Sequence, residues 1–200
     1  MSAAPPAAMR VFVAVPLPEP VAAALQSIQR TLAAACRAEA VRWTPRDQLH
    51  LTLKFLGDVP TPRIGELESV LIEVGRGAGG FGLRADSAGG FPNLDRPRIL
   101  WVGVGGDLEP LRQLQQAVER ATAGFGDHAE ERAFSPHLTI GRVRTADRRE
   151  ARRVGEQVRL AGIAALGAWE VRRLDLMRSE LSAAGAAHHC LAAIPLGSCA

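Results

Sequence analysis

Two short stretches of the sequence repeat each other, Leu49-His50-Leu51-Thr52-Leu53 in the first half of the chain and Pro136-His137-Leu138-Thr139-Ile140 in the second. Each stretch is a His-x-Thr followed by an apolar residue, inside a run that is typical of a β-strand. Because side chains alternate between the two faces of a strand, the histidine and threonine of each motif share one face and the apolar residues take the other. The repeat predicts a two-lobed protein in which each half offers one histidine and one threonine.

The two polar faces would suit phosphodiester chemistry if they met across a cleft. Displacement at phosphorus needs a base that activates the nucleophile and an acid that protonates the leaving oxygen on the opposite side. Histidine, with an ordinary pKa near ~6.5, supplies either role at neutral pH. The hydroxyls of Thr52 and Thr139 would donate hydrogen bonds to the non-bridging oxygens, where charge builds up. The motifs therefore indicate His50 and His137 as an acid–base pair, and their near-symmetry leaves open which is the acid.

The sequence gives no pattern for a metal or a cofactor. It lacks a dense His/Asp/Glu set and a His-Glu-x-x-His, and neither a Gly-x-Gly-x-x-Gly nor a Walker-type loop follows a strand. The three cysteines, Cys36, Cys190 and Cys199, are odd in number and widely spaced, which excludes a disulfide framework. We expect no metal, no cofactor and a reducing compartment.

The overall composition is that of a globular protein with a mild positive balance. The formal net charge is +3, and Lys54 is the only lysine, so arginine carries nearly all of the basic charge. Arginine favours bidentate contacts with phosphate, but biased composition is the favoured explanation of the arginine count. No basic start with an apolar h-region and no apolar run of ~18 residues is found, so we expect a cytoplasmic protein without a membrane span.

The apolar spacing along the chain also predicts its organisation. Residues 10–15 are a buried strand, residues 19–36 an amphipathic helix, and the Gly/Pro-rich residues 89–97 a connector. We expect the strand of the first motif to end at Gly57. The domain organisation is then a flexible segment at 1–9, a single bilobal domain at 10–196 and a tail at 197–200.

The motifs and their surroundings resemble one known family. The chain is similar to the two-histidine (2H) phosphoesterases, and within them to the bacterial and archaeal RNA 2′,3′-cyclic phosphodiesterases, historically called 2′-5′ RNA ligases. The resemblance covers most of residues 10–196, in order. Its segments are RVFVAV at 10–15, RWTP at 42–45, HLTLKFLG at 50–57, FPN at 91–93, RPRILWVGV at 96–104, FSPHLTIGRV at 134–143 and RSEL at 178–181.

The resemblance implies an α+β fold of two small, mostly antiparallel sheets flanked by helices, with a central cleft. It implies metal-independent hydrolysis of a terminal RNA 2′,3′-cyclic phosphate to a 2′-phosphomonoester, in which the 3′-oxygen leaves. By the same resemblance His50 is the proton donor to that oxygen and His137 is the proton acceptor that activates water.

Three further residues are candidate substrate contacts. Strand alternation puts Lys54 on the face of His50, where it would neutralise phosphate charge, unless it simply reaches solvent at the strand end. The resemblance implies that Arg142 holds the phosphate. Alternation puts Arg142 on the wrong face, and a bulge near Gly141 would re-aim it. Phe55 has the same offset after His50 and would stack on a base, unless it packs in the core.

The end of the chain departs from the family pattern. Relatives often carry an aromatic residue near the start of the last strand, where this chain has His188. We interpret His188 and His189 as ordinary edge-strand residues, with an extra polar wall of the cleft as the alternative.

The partner expected from these observations is an RNA with a 2′,3′-cyclic phosphate end or a small cyclic nucleotide, bound by a monomer. Two alternatives stay open. One is ligation, in which a 5′-hydroxyl RNA end replaces water. The other is a non-catalytic nucleotide- or RNA-binding module that retains the motifs. The bland interpretation of the repeat itself is a repeated strand whose polar face is merely solvated. The sequence leaves open the natural RNA and its base preference.

Overall fold

The computed structural model describes residues 7–127, 133–163, 165–182 and 185–197. Within these residues the chain forms nine strands and four α-helices. The strands are β1 (Ala8–Pro16), β2 (Val41–Trp43), β3 (His50–Pro60), β4 (Phe81–Phe91), β5 (Ile99–Gly106), β6 (His137–Val143), β7 (Gly167–Val171), β8 (Arg173–Ser182) and β9 (Gly185–Pro195). The helices are α1 (Glu19–Ala35), α2 (Ile64–Arg76), α3 (Leu108–Ala121) and α4 (Arg148–Leu160).

The strands pair in the order β7-β4-β5-β6-β3-β1-β8-β9, with β2 beside β6, and the described pairs are all antiparallel. We call β3, β1, β8 and β9 the first half-sheet, and β6, β5, β4 and β7 the second half-sheet. In the described residues the two half-sheets meet at one residue pair, Leu51 and Leu138. The two small antiparallel sheets expected from the resemblance are therefore confirmed, and they are continuous at this pair.

The hydrophobic core lies on the face of the sheet that carries Leu51 and Leu138, both of which are fully buried. β1 contributes β-branched residues at alternate positions, including Val13. α1 buries an apolar stripe that contains Leu25, and α3 buries one that contains Leu114. Each buried leucine or valine side chain stabilises the fold by about 1.5–3 kcal/mol.

Several predicted boundaries differ in the structure. β1 begins at Ala8, within the segment predicted to be flexible, and ends at Pro16. β3 continues past Gly57, which takes a positive φ of 76°, and the strand ends at Pro60. β4 runs through Gly89 to Phe91, so the first residues of the predicted connector are strand. Gly89 fits there because a Cβ at this position would lie 2.3 Å from the ring of Trp101. Of the segments predicted at the ends, 1–6 and 198–200 lie outside the described residues.

Candidate active site

The pairing of β3 with β6 brings the two His-x-Thr motifs side by side. Leu51 lies opposite Leu138 in antiparallel register, and both side chains point into the core. The neighbours of these leucines therefore point to the other face, and each histidine lies beside the threonine of the other motif. All four polar side chains are half-buried, so they remain open to a ligand.

Both imidazoles are held in the same way by the backbone. Nδ1 of His50 lies 2.8 Å from the carbonyl oxygen of Gln48, and Nδ1 of His137 lies 2.7 Å from that of Ser135. A carbonyl oxygen only accepts, so in each neutral ring Nδ1 carries the hydrogen and donates it. Nε2 of each ring is then free to accept a proton, and this is the atom that each histidine offers to a ligand.

The electrostatic environment distinguishes His50. Burial, followed by the nearby imidazole of His188, lowers the pKa of His50 to about 4, while the hydrogen bond to Gln48 opposes this and His137 adds a smaller lowering. Burial also lowers the pKa of His188, and the negative charge of Asp47 opposes this lowering. His50 is therefore neutral at pH 7 in the free protein.

Aromatic rings form the walls around both histidines. The ring of Phe12 lies 4.9 Å from that of His50 and 5.6 Å from that of Phe55, measured between centroids. In the second half-sheet the ring of Phe91 lies edge-on to His137 at 5.0 Å. Each imidazole is thus packed against a phenylalanine, which fixes its orientation and limits its contact with water.

A bulge in β3 interrupts the alternation just after the first motif. On β1, Ala14 pairs with Thr52, whereas the preceding residue Val13 pairs with Lys54, so Leu53 is the extra residue. Leu53 and Lys54 are consequently both buried. Lys54 and Phe55 therefore take faces opposite to those that strict alternation predicts, and a second bulge at Leu56 restores the alternation.

The predicted place of Lys54 is therefore wrong, because the prediction assumed unbroken alternation. Its side chain is 4% exposed, and Nζ lies 2.8 Å from a carboxylate oxygen of Glu119 on α3, away from the cleft. Phe55 lies on the opposite face of the strand from Lys54. It is 45% exposed and contacts Phe12 on the cleft face, where the sequence left its side undecided.

β6 carries a matching bulge after the second motif. Trp101 of β5 pairs with Thr139, and the preceding Leu100 pairs with Gly141, so Ile140 is the extra residue. The bulge lies at the same place in both motifs, one residue after the threonine. The internal repeat thus extends to the irregularities of the strands.

The second bulge brings Arg142 to the cleft face, as suggested for a bulge near Gly141. Gly141 turns inward, where a Cβ would lie 2.8 Å from a methyl carbon of Val41. Arg142 is exposed at the position equivalent to Phe55. The buried amide of Gln29 fixes this segment, since its Nε2 donates to the carbonyl oxygen of Ile140 at 2.8 Å.

The structure also brings His188 into the site, which the edge-strand interpretation missed. Its ring lies 5.0 Å from Phe12 and 5.6 Å from His50, in both cases nearly perpendicular. The interpretation holds for the exposed His189 and is wrong for His188. The one signal in the sequence was that relatives often carry an aromatic residue at this place, where this chain has a histidine.

The chain matches a known protein family over most of its length. The family model for LigT-like phosphoesterases matches residues 15–101 and 104–188. The chain belongs to the LigT-like phosphoesterase family. Both His-x-Thr motifs fall within the matched residues.

Curated relatives of this LigT-like phosphoesterase carry one name. The RNA 2′,3′-cyclic phosphodiesterase of Methanothermobacter thermautotrophicus is 34% identical over 179 residues, which cover 88% of this chain and 93% of the relative. That of Aeropyrum pernix is 35% identical over 143 residues, which cover 70% of this chain and 77% of the relative.

Solved structures agree with the fold. A protein of Thermus thermophilus superposes with a TM-score of 0.76 at 27% identity, covering 94% of this chain and 98% of that one. Escherichia coli LigT complexed with 3′-AMP superposes with a TM-score of 0.72 at 27% identity, covering 96% and 99%. The predicted family and fold are therefore confirmed.

No group of three or more His, Cys, Asp or Glu side chains in them is arranged to hold a metal ion. No helix in them is long and apolar enough to cross a membrane.

The low pKa of His50 predicts a pH-dependent stability for this LigT-like phosphoesterase. In the unfolded chain the imidazole takes up a proton near its ordinary pKa of 6.5, whereas the folded protein resists protonation until about pH 4. Stability from this residue is therefore present above about pH 6.5 and is lost as the pH falls. Between about pH 7.5 and about pH 4.5 the loss is about 2–3 kcal/mol.

Urea unfolding at both pH values tests this expectation. His50→Gln should lose less stability than the wild type over this interval, by the amount given above, because glutamine does not titrate. His189→Gln, which removes an exposed histidine outside the site, should behave like the wild type. An equal loss in His50→Gln and wild type would contradict the environment described for His50.

Proposed function

We propose that this LigT-like phosphoesterase hydrolyses a 2′,3′-cyclic phosphate at the end of an RNA to a 2′-phosphomonoester, without a metal ion. One observation carries the proposal. The register of β3 and β6 sets two imidazoles, each with Nε2 available, and two threonine hydroxyls on one face of the sheet. The names of the curated relatives support the cyclic phosphate of RNA as the substrate.

The proposed reaction is an in-line displacement at phosphorus. Nε2 of His137 accepts a proton from water as the water oxygen bonds to phosphorus. The bond between phosphorus and the 3′-oxygen breaks, and Nε2 of His50 donates a proton to that oxygen. The product carries a 3′-hydroxyl and a 2′-phosphate, and proton transfer between the two histidines through solvent restores the enzyme.

Four further side chains would act on the substrate. Thr52 and Thr139 would donate hydrogen bonds to the non-bridging oxygens, where negative charge grows in the transition state. The guanidinium of Arg142 would pair with the phosphate. Phe55 would stack on a base, since an exposed ring beside Phe12 offers a flat apolar surface. Lys54 is left out, because Glu119 holds it on the other side of the strand.

The acid must be protonated, although His50 is neutral at pH 7 in the free protein. A bound phosphodiester brings a negative charge between the two imidazoles, and a nearby opposite charge raises the pKa of a histidine. Binding would therefore favour the protonated form of His50. Once protonated, a histidine whose intrinsic pKa is low is also a stronger acid toward the leaving oxygen.

We also propose that the enzyme acts as a monomer in the cytoplasm. One chain supplies both motifs, so a single copy holds a complete site. Of the described cysteines, Cys36 and Cys190 are free, which suits a reducing compartment.

The experiment that tests the proposal is hydrolysis of a short oligonucleotide that ends in a 2′,3′-cyclic phosphate, in the presence of EDTA. We expect a linear product with a 2′-phosphate, identified against 2′- and 3′-phosphate standards. A 3′-phosphate product would contradict the assigned leaving group, and a joined product with 5′-hydroxyl RNA in excess would favour ligation. Tight binding without turnover would favour the binding module.

A further inference from the structure

The two half-sheets repeat each other strand by strand around the motifs, which allows a position in one to be compared with its equivalent in the other. Counting outward from the motif strand, Thr139 lies opposite Trp101 of β5, and Trp101 lies opposite Gly89 of β4. In the first half-sheet Thr52 lies opposite Ala14 of β1, and Ala14 lies opposite Asp175 of β8. Trp101 and Ala14 are therefore equivalent, as are Gly89 and Asp175.

The second half-sheet is filled at this place. The indole of Trp101 lies directly on the backbone of Gly89, where a Cβ would come within 2.3 Å of the ring. The ring of Phe91 packs against the same indole at 5.4 Å. The largest side chain of the repeat therefore occupies the space beside Thr139.

The first half-sheet is open at the equivalent place. Ala14 contributes one methyl group, and a pocket of about 500 Å³ lies there, beside His50. This volume is within the range of small-molecule sites and suits a nucleobase. The residues that line it include Ala14, Asp175 and Met177, together with Arg46 and Asp47.

Asp175 gives the pocket a buried acceptor. Its side chain is 7% exposed, and its Oδ1 accepts no hydrogen bond from the described residues, although Nε of Arg173 lies 3.1 Å away as an ion pair. Burial raises the pKa of Asp175, against the pull of Arg173. Oδ2 accepts a long hydrogen bond of 3.5 Å from Nη2 of Arg173, whereas Oδ1 has the ion-pair contact alone. A ligand N–H group directed at Oδ1 would therefore add a hydrogen bond to this buried carboxylate.

The proposed reaction says which half-sheet must accommodate the nucleoside. In a 2′,3′-cyclic phosphate the leaving oxygen belongs to the ribose, so the ribose and its base lie on the side of the acid. The attacking water lies on the opposite side of phosphorus and needs little room. The open half-sheet carries His50 and the filled half-sheet carries His137, which agrees with the roles given to them above.

We propose that the pocket beside His50 holds the base of the terminal nucleotide, and that Asp175 accepts a hydrogen bond from the exocyclic amino group of that base. This inference rests on the proposed function and adds a base preference to it. Cytosine, adenine and guanine carry such a group. Uracil would instead turn a carbonyl oxygen toward the carboxylate.

Two oligonucleotides that differ only in a terminal cytidine or uridine 2′,3′-cyclic phosphate test the preference. We expect kcat/KM of the wild type to be about tenfold higher for cytidine. Asp175→Asn should abolish or invert this ratio, because an amide donates to the uracil oxygen. Glu180→Gln, which changes an exposed carboxylate of the same strand outside the pocket, should keep the wild-type ratio.

Ala14→Trp tests the pocket itself, since it copies the side chain of the filled half-sheet. We expect KM for the cytidine substrate to rise at least about tenfold, with folding checked by circular dichroism. Hydrolysis of both substrates at equal rates by the wild type, or a cytidine preference unchanged in Asp175→Asn, would overturn the base contact and leave the proposed function intact. Hydrolysis of neither substrate would instead count against the proposed function.

Discussion

Replacing His137 with alanine should lower kcat/KM for a 2′,3′-cyclic phosphate end by roughly 10³- to 10⁴-fold, and replacing His50 should have an effect of the same order. Alanine cannot accept or donate a proton, and a water molecule in the space it leaves is a much weaker acid and base than imidazole. Ring orientation comes from the carbonyls of Gln48 and Ser135, which remain in both variants. The fold should therefore persist.

The losses of activity caused by the two substitutions should not be additive. Acid and base act on one transition state, so the double variant should be no slower than about the slower single variant. His189→Ala, which removes an exposed histidine outside the cleft, is the matched control and should retain full activity. Activity near the wild-type level in His137→Ala would show that the two-histidine mechanism is wrong for this chain.

Much of this site follows from the sequence because its determinants are local. Period-two alternation assigns His50 and Thr52 to one face without knowledge of any partner strand. The alternation also explains why Leu51 is buried. The same argument at the second motif succeeds for His137 and Thr139. The resemblance to the two-histidine phosphoesterases supplied the joining of the two halves.

The sequence argument failed where pairing between distant strands decides the outcome. The bulge at Leu53 depends on the register between β3 and β1, and no residue near Lys54 gives a sequence signal for it. Lys54 turns inward because Glu119, far along the chain, supplies its counter-charge. In the second motif the equivalent position is Gly141, whose missing side chain was a local signal, and there the bulge was anticipated.

The sequence could not predict the pocket or the position of His188, for the same reason. His188 contacts His50 from β9, which lies three strands from β3, and the carbonyl of Ala186 accepts a hydrogen bond from Gln48. Asp175 reaches the site across β1, through the small side chain of Ala14. Contacts between strands that are not adjacent in the sheet produce no periodic pattern in the sequence.

The second large effect concerns the two hydroxyl groups. Thr52→Val and Thr139→Val should each lower kcat by about 10²-fold, as expected when one donor to a developing oxyanion is removed. Valine has the shape of threonine and favours strands, so the pairing of β3 with β6 should be retained. Each hydroxyl lies beside the histidine of the other motif, so both donors would lie next to the phosphorus of a substrate bound between the histidines.

The effect should appear in kcat more than in KM, because the non-bridging oxygens carry more charge in the transition state than in the substrate. Thr52→Ser and Thr139→Ser keep a hydroxyl and should recover most of the activity, which separates hydrogen bonding from packing. A valine variant that raised KM with kcat unchanged would mean that the hydroxyls only bind the substrate. In that case stabilisation of the transition state would fall to Arg142, and Arg142→Gln should then cause the larger loss in kcat.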